Sequence, residues 1–120
     1  MRETVIDTNQ FQRIAKALAD PRRFEILEVI AAGGEMCCGD VVACFPVAQS
    51  TVSHHLKELT DAGLIETRAE GQFKYLRARP EVLAEYVELL SRRVGVQQIS
   101  RGKALASNKR NAKARKALKT

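Results

Sequence analysis

Hydrophobic runs are short throughout the chain, and none approaches the ~20 apolar residues that are needed to cross a lipid bilayer. Residues 1–7 also lack the apolar core of a signal peptide. These absences favour a cytoplasmic protein that has no membrane partner. The 120 residues contain no internal repeat, and with 45% hydrophobic and 28% charged residues their composition is that of an ordinary globular protein. We therefore expect one folded domain with a modest core.

Acidic residues are missing from the last twenty positions. Residues 101–120 hold eight Lys and Arg and no Asp or Glu, whereas residues 1–100 hold twelve basic and fourteen acidic side chains. Large apolar residues in that segment are too few to bury. We predict a folded domain over residues 1–100 and a basic, disordered tail over residues 101–120. The tail either keeps the protein soluble or attracts phosphate groups without regard to sequence, and the composition favours neither role.

Cysteine is scarce, and the three present are Cys37, Cys38 and Cys44. An odd number of thiols argues against a structural disulfide framework and leaves thiol chemistry, metal binding or packing. Cys37 and Cys38 are adjacent, so their side chains cannot both point into one core, which favours a function for the pair. Cys44 lies about 10.5 Å beyond Cys37 if the intervening helix is regular. It is either a third ligand of a distorted site or, as we favour, a small buried hydrophobic residue.

Residues 49–59 carry the most informative pattern in the chain. At about 3.6 residues per turn, Val52, Leu56 and Leu59 form an apolar stripe. The opposite side collects short hydrogen-bonding side chains and one cation, which suit base edges and phosphates in a major groove: Gln49, Ser50, Ser53, His54 and Lys57. Thr51 adds a further hydroxyl. Because hydroxyls compete for backbone hydrogen bonds inside helices, their cluster indicates a DNA-reading helix rather than a merely solvated face.

The two histidines of this helix are predicted to play different roles. His55 falls at the edge of the apolar stripe, between Val52 and Leu59, and we expect it to be structural. His54 lies on the same side as Ser50 and Lys57, so we expect it to contact DNA.

Helical periodicity predicts four further helices. Asp20 and Pro21 suit the start of the second helix, and the apolar residues expected to turn inward from it are Phe24, Leu27 and Ile30. A short third helix should end before Pro46. After Pro80, the final helix carries an apolar face broad enough for a subunit interface: Val82, Leu83, Tyr86, Val87, Leu90 and Val94.

Residues 65–75 alternate as two strands of a hairpin around a turn at Glu70 and Gly71. Phe73 and Tyr75 are expected to pack on the core. The polar residues of the hairpin are expected to face outward, where they can contact DNA: Arg68, Gln72 and Lys74. A short helix, a tight turn, a polar recognition helix and a basic hairpin together predict a winged helix-turn-helix, a mainly α fold with a small β-hairpin.

Three segments carry a family resemblance, namely residues 19–27 (Ala-Asp-Pro-Arg-Arg-Phe-Glu-Ile-Leu), residues 50–59 (Ser-Thr-Val-Ser-His-His-Leu-Lys-Glu-Leu) and residues 62–65 (Ala-Gly-Leu-Ile). With them the chain resembles the arsenic-repressor (ArsR/SmtB) family of bacterial winged-helix repressors over roughly residues 8–95. The resemblance implies a homodimer joined through its first and last helices. It also implies that the dimer covers an operator of dyad symmetry in double-stranded DNA until an inducer releases it.

Two departures from the family pattern concern the helices. Ala48 stands where many relatives have serine, so the recognition helix should lack a side-chain cap worth about 1 kcal/mol. Relatives that sense zinc through the last helix use histidines and acids there, whereas residues 80–95 contain no histidine. Three carboxylates in that segment are expected to form a solvated face: Glu81, Glu85 and Glu88.

A third departure concerns the thiols. Arsenite-sensing relatives carry Glu-Leu-Cys-Val-Cys-Asp-Leu where residues 35–41 of this chain read Glu-Met-Cys-Cys-Gly-Asp-Val, so the first cysteine is matched and the second is shifted by one. At a helix N-terminus, Cys37 and Cys38 would be stabilised as thiolates, which prefer soft ions. Arsenite, antimonite or another thiophilic metalloid or metal is therefore the leading inducer.

The leading hypothesis is a repressor whose third helix is distorted when Cys37 and Cys38 bind a metalloid, which displaces the recognition helix from DNA. A nearby alternative keeps the DNA binding but makes the thiols a redox or persulfide sensor. A winged helix that contacts only proteins is a further alternative, against which the polar face of residues 49–59 argues. Enzymatic activity and a catalytic cofactor are not expected, since the predicted fold brings no Cys–His pair together.

Overall fold

A computed structural model describes residues 6–96. They form five helices and three strands in the order α1 (Thr8–Ala19), α2 (Pro21–Gly33), β1 (Glu35–Cys37), α3 (Cys38–Ala43), α4 (Gln49–Asp61), β2 (Ile65–Glu70), β3 (Phe73–Ala78) and α5 (Pro80–Val94). This mainly helical arrangement confirms the predicted fold class. The predicted basic tail lies outside the described residues. Within residues 6–96, no helix is both long enough and apolar enough to span a bilayer.

The chain divides into two compact units, Met1–Glu88 and Leu89–Thr120. The first contains α1 through β3 and the part of α5 that ends at Glu88. Of the second unit, residues 89–96 are described. Residues 89–94 complete α5, and Gly95 follows the helix with a φ of 85°. The candidate site described below lies wholly within the first unit.

The helix starts follow the local chemistry that the sequence predicts. The Asp20 carboxylate accepts a hydrogen bond from the backbone N–H of Arg23 at 3.0 Å, and Pro21 occupies the first turn of α2. This capping bond satisfies one of the otherwise unpaired donors of the first turn, and it lowers the pKa of Asp20 below its ordinary value. By contrast, Ala48 precedes α4 without any side-chain cap, as predicted, so α4 is held by packing.

The core of the first unit is built from aliphatic side chains of α1, α2, α3 and α4, of the sheet, and of the segment that joins α4 to β2. Those almost fully buried are Ile14, Ile26, Ile30, Val41, Val52, Leu59, Leu64, Ile65 and Leu76. The prediction that Phe24 turns inward was wrong, because Phe24 is 43% exposed. The buried stripe of α2 runs through Ile26, Leu27 and Ile30, and Phe24 lies outside it.

The sheet is antiparallel with strand order β1-β3-β2. β1 was not predicted, because three residues are too few to display an alternating pattern. The predicted packing of Phe73 and Tyr75 on the core was also wrong. Phe73 is 52% exposed and Tyr75 is half-buried, whereas Leu76 is the buried residue of β3. Side chains alternate along a strand, so burying Leu76 turns both aromatic rings to the other face.

The predicted solvated row of carboxylates on α5 differs from the structure at one residue. Glu81 and Glu88 are exposed, but Glu85 is only 5% exposed, so the predicted solvated carboxylate face was wrong at that position. Glu85 lies three residues after the buried Val82, on the side of α5 that faces the core.

Candidate nucleic-acid interface

The recognition helix α4 separates its two faces as the sequence predicts. Val52, Leu56 and Leu59 are buried, while the polar row predicted to read DNA is exposed: Gln49, Ser50, Thr51, Ser53, His54 and Lys57. The Lys57 ammonium donates to Asp61 at 2.9 Å, which raises the pKa of Lys57 and lowers that of Asp61. The buried stripe therefore fixes α4 in the fold and leaves a row of short polar side chains toward solvent.

His55 is a structural residue, as expected from its position beside the apolar stripe. Its side chain is 7% exposed, and its Nδ1 accepts a hydrogen bond from Nε–H of Arg23 at 3.2 Å. Burial lowers the pKa of His55 below 6.5, which favours the neutral ring that such acceptance requires. His55 thereby joins α4 to α2, whereas His54 points to solvent.

The hairpin divides its predicted DNA contacts between two faces. Arg68 is directly opposite Tyr75, and Lys74 is opposite Ala69, so the two cations point to opposite sides of the sheet. β2 continues through Glu70 and β3 begins at Phe73, so Gln72 lies in the turn between them, where it is exposed. The structure thus brings Lys74 toward α4 but not Arg68.

Arg68 is held by acidic partners on the outer face of the sheet. Its Nη2–H and Nε–H groups donate to the two carboxylate oxygens of Glu35, at 2.9 and 3.3 Å. The guanidinium also pairs with Glu70. It lies 4.8 Å from the ring centre of Tyr75. The bond to Glu35, and then that to Glu70, raises the pKa of Arg68. These contacts tie β1, the strand that leads into the cysteines, to the hairpin.

Cys37 and Cys38 lie where the sheet passes into α3. Cys37 is the last residue of β1 and precedes α3 as its N-cap without a side-chain cap, and Cys38 is the first residue of the helix. Both are half-buried. The predicted location of the pair at a helix N-terminus is thus confirmed.

Beside these cysteines, two adjoining cavities separate α4 from the hairpin. One, of about 530 Å³, is lined by both cysteines and by residues of α4 and the hairpin that include Gln49, Ser53 and Lys74. The other, of about 380 Å³, shares Cys38, Ser53 and Lys74 and extends to Lys57. We call the two together the thiol groove. That the cysteines border the residues predicted to read DNA could not be foreseen from the sequence, because it depends on β1 pairing with β3.

Cys44 does not behave as predicted. It is exposed rather than buried, so its interpretation as a small core residue was wrong. It follows the last residue of the short helix α3, and its thiol donates to the backbone oxygen of Asp40 at 3.3 Å. Among residues 6–96, no group of three or more Cys, His, Asp or Glu side chains is arranged to hold a metal ion. The three cysteines therefore do not form a ready-made three-ligand site.

The fold and this surface define a winged helix-turn-helix protein. Residues 18–68 match the family model for a helix-turn-helix domain. The arsenical resistance operon repressor of Staphylococcus aureus is 33% identical over 82 residues, which cover 68% of this chain and 78% of the relative. The chain belongs to the arsenic-repressor (ArsR/SmtB) family of winged-helix transcriptional repressors.

Two solved structures are informative neighbours. One is the homodimeric winged helix-turn-helix DNA-binding domain Mb0332 from Mycobacterium bovis, a possible ArsR-family regulator; it is 28% identical, has a TM-score of 0.58, and the match covers 75% of this chain and 83% of that one. The other is reduced HlyU from Vibrio cholerae N16961, 32% identical with a TM-score of 0.55, where the match covers 75% of this chain and 93% of that one.

Proposed function

We propose that this protein is a homodimeric repressor that binds a dyad-symmetric operator in double-stranded DNA and releases it when a thiophilic metalloid such as arsenite binds Cys37 and Cys38. The observation that carries the proposal is the thiol groove, because it places Cys38 beside Ser53, a residue of the exposed polar row of α4. A ligand on the thiols and a DNA duplex on α4 would therefore act on the same part of the molecule.

The DNA-binding part of the proposal rests on the exposed row of α4 and on Lys74 of the hairpin. Short hydroxyl and amide side chains on a helix reach base edges in a major groove, and lysines reach phosphates. Replacing Ser53 by alanine should weaken operator binding by about 1–3 kcal/mol without changing the thermal midpoint. Fluorescence anisotropy with the operator and with a scrambled duplex of equal length measures this. A loss of equal size on both duplexes would show that Ser53 does not read sequence.

The proposed dimer uses α1 and α5. Phe11 and Tyr86 join these helices through rings 5.0 Å apart. Along α5, Val87 is 53% exposed, Leu90 39% and Val94 69%, at the spacing of one helical face. An apolar row of this kind on a small domain is typical of a subunit interface, and the Mycobacterium bovis neighbour is a homodimer.

Sedimentation velocity tests the dimer. We expect Val87→Glu to sediment as a monomer at micromolar concentration, because it would place a carboxylate in an apolar interface. The conservative control Val87→Leu should stay dimeric. A dimer that persists in Val87→Glu with unchanged affinity would remove α5 from the interface.

The sensing part of the proposal rests on adjacent thiols at the start of a short helix. Thiolates are soft ligands, so arsenite, antimonite or another thiophilic ion suits them. The six-residue α3 has no side-chain cap at Cys37 and contacts α4, so a metalloid that distorts α3 would shift the recognition helix. The arsenical resistance repressor of Staphylococcus aureus supports a metalloid as the inducer.

Metalloid binding is testable without DNA. Equilibrium dialysis of the reduced protein against arsenite, followed by elemental analysis, should give one arsenic per chain. Cys37→Ser and Cys38→Ser should each lower this ratio strongly, whereas Cys44→Ser should leave it nearly unchanged. Full binding by a Cys37→Ser/Cys38→Ser double variant would place the metalloid elsewhere.

A second candidate keeps the same DNA-binding fold but makes the thiols a redox or persulfide sensor. The observations that favour it are the exposure of Cys44 and the likeness to HlyU, for which one solved structure is described as reduced. Arsenite and a mild oxidant, titrated in parallel against the protein–operator complex, separate the two candidates. Release by the oxidant alone would select the second.

A further inference from the structure

The thiol groove contains hydroxyl groups and a lysine beside its thiols, and metalloid binding by the thiols does not require these groups. We propose that it is a binding and modification site for small anionic disulfides, which convert Cys38 into a mixed disulfide. The groove combines a thiol, hydroxyl groups and lysine side chains in one concave surface. Its two cavities, of about 380 and 530 Å³, are of the size that small-molecule sites have, about 300–1,000 Å³.

The charge of the groove favours an anionic ligand. Lys74 lines both cavities, is exposed, and forms no ion pair with any residue in the described part of the chain that would neutralise it. Lys57 lines the smaller cavity and is paired with Asp61, so Lys74 is the cation left for a carboxylate. The larger cavity has no acidic residue in its lining. Hydroxyl groups of Ser53 and Thr67 add hydrogen-bond partners for such an anion.

Oxidation of Cys38 within the chain is sterically unfavourable, so an external partner is needed. Consecutive Cα atoms lie about 3.8 Å apart, below the ~4.4–6.8 Å that ordinary disulfides span, which disfavours a Cys37–Cys38 bond. Cys44 follows Cys38 at the far end of α3, about 9 Å away along a regular helix, which exceeds the same range. An exogenous disulfide has neither constraint.

The reaction is thiol–disulfide exchange. Cys38 loses its proton to water, and the resulting thiolate attacks one sulfur of the ligand. The S–S bond of the ligand breaks, a new bond joins Cys38 Sγ to that sulfur, and the other half leaves as a thiolate with the electron pair. The ligand disulfide is itself the oxidant, so no further reactant is required.

The adduct would stand beside Gln49 and Ser53, which rests on the proposed function of α4 as the DNA-reading helix. A ligand held there and a duplex on α4 would exclude each other. By linkage, operator DNA should then lower the equilibrium constant for exchange at Cys38 by the same factor by which the adduct weakens DNA binding.

The test uses two single-cysteine variants. Cys37→Ser/Cys44→Ser retains only Cys38, and Cys37→Ser/Cys38→Ser retains only Cys44. Each is treated with 3,3′-dithiodipropionate, a dianion, and with cystamine, a dication of similar length, and the mass increase is followed over time. Cys44 is the internal control, since it is exposed and lies one helical turn after the acidic Asp40.

We expect Cys38 to react with the dianion about fivefold faster than with the dication, the scale set by one solvent-exposed ion pair. Lys74→Glu should reverse that preference, and Cys44 should lack it. Equal preferences at Cys38 and Cys44, or a preference that Lys74→Glu leaves intact, would overturn the proposal.

Operator anisotropy of the same variants before and after modification completes the experiment. Loss of DNA binding only after modification supports mutual exclusion, and undiminished binding of the fully modified protein refutes it. Failure of the unmodified variants and of the wild-type protein to bind any operator would refute the proposed function instead. The mass measurement would still decide whether the anionic disulfide site exists.

Discussion

His54 and His55 are adjacent in sequence, and replacing each by alanine should have opposite effects. In His55→Ala the bond from Arg23 is lost and a cavity opens beside α4. A lost hydrogen bond costs about 0.5–1.5 kcal/mol, and the lost packing brings the total to about 2 kcal/mol. For a domain of this size that lowers the thermal midpoint by about 8–16 °C. In His54→Ala, an exposed side chain is removed, so the change in stability should stay within about 0.5 kcal/mol.

DNA binding should show the reverse order. His54→Ala is expected to lose about 1–3 kcal/mol of operator affinity, because it removes a polar group from the reading face. His55→Ala, assayed well below its own midpoint, should retain most of its affinity. Differential scanning calorimetry and operator anisotropy on the two variants and the wild type provide the comparison. The reasoning is refuted if His55→Ala melts like the wild type but no longer recognises the operator.

Three further predictions follow from the same contacts. Burial lowers the pKa of His55 below 6.5, so the unfolded chain protonates this ring more readily than the folded one. The contribution of His55 to the free energy of unfolding should be complete above pH 6.5 and should decline as the pH falls below that value. In urea titrations, His55→Gln should lack the decline that comes from His55. Arg68→Ala should weaken operator binding less than Lys74→Ala, because the guanidinium of Arg68 is already paired with Glu35 and Glu70. Equal losses of operator affinity, measured by fluorescence anisotropy, would contradict this. Truncation after Ser100 should flatten the dependence of operator affinity on salt, because eight cations are removed. An unchanged slope would mean that the tail does not contact DNA.

The sequence predicted most reliably where a single helix carries its own pattern. In α4, the spacing of Val52, Leu56 and Leu59 identifies the buried side, and the polar row then follows on the other side. The capping of α2 by Asp20 is equally local. Such features depend on residues within one or two turns, so no knowledge of the remaining fold is required.

The errors concern residues whose surroundings come from distant parts of the chain. Phe24, Phe73 and Tyr75 are large and apolar, but α2 buries Ile26 and β3 buries Leu76 in their place. A large aromatic side chain does not have to face the core when smaller aliphatic side chains already fill the core.

The candidate site was only partly predictable for the same reason. Cys37 and Cys38 could be assigned to a helix start, but their position beside Ser53 and Lys74 requires β1 to pair with β3. A three-residue strand leaves too little pattern to reveal such a pairing. Arg68 was predicted as a DNA contact, and the sequence could not reveal that Glu35, 33 positions earlier, binds it.

The central claim is that thiols at the start of α3 control a DNA-reading surface on α4. Arsenite titrated into a preformed complex of the reduced protein with fluorescent operator DNA tests it most directly. We expect the wild type and Cys44→Ser to release the DNA, whereas Cys37→Ser and Cys38→Ser should bind the operator normally and retain it. Undiminished release from the Cys37→Ser/Cys38→Ser double variant would contradict the account.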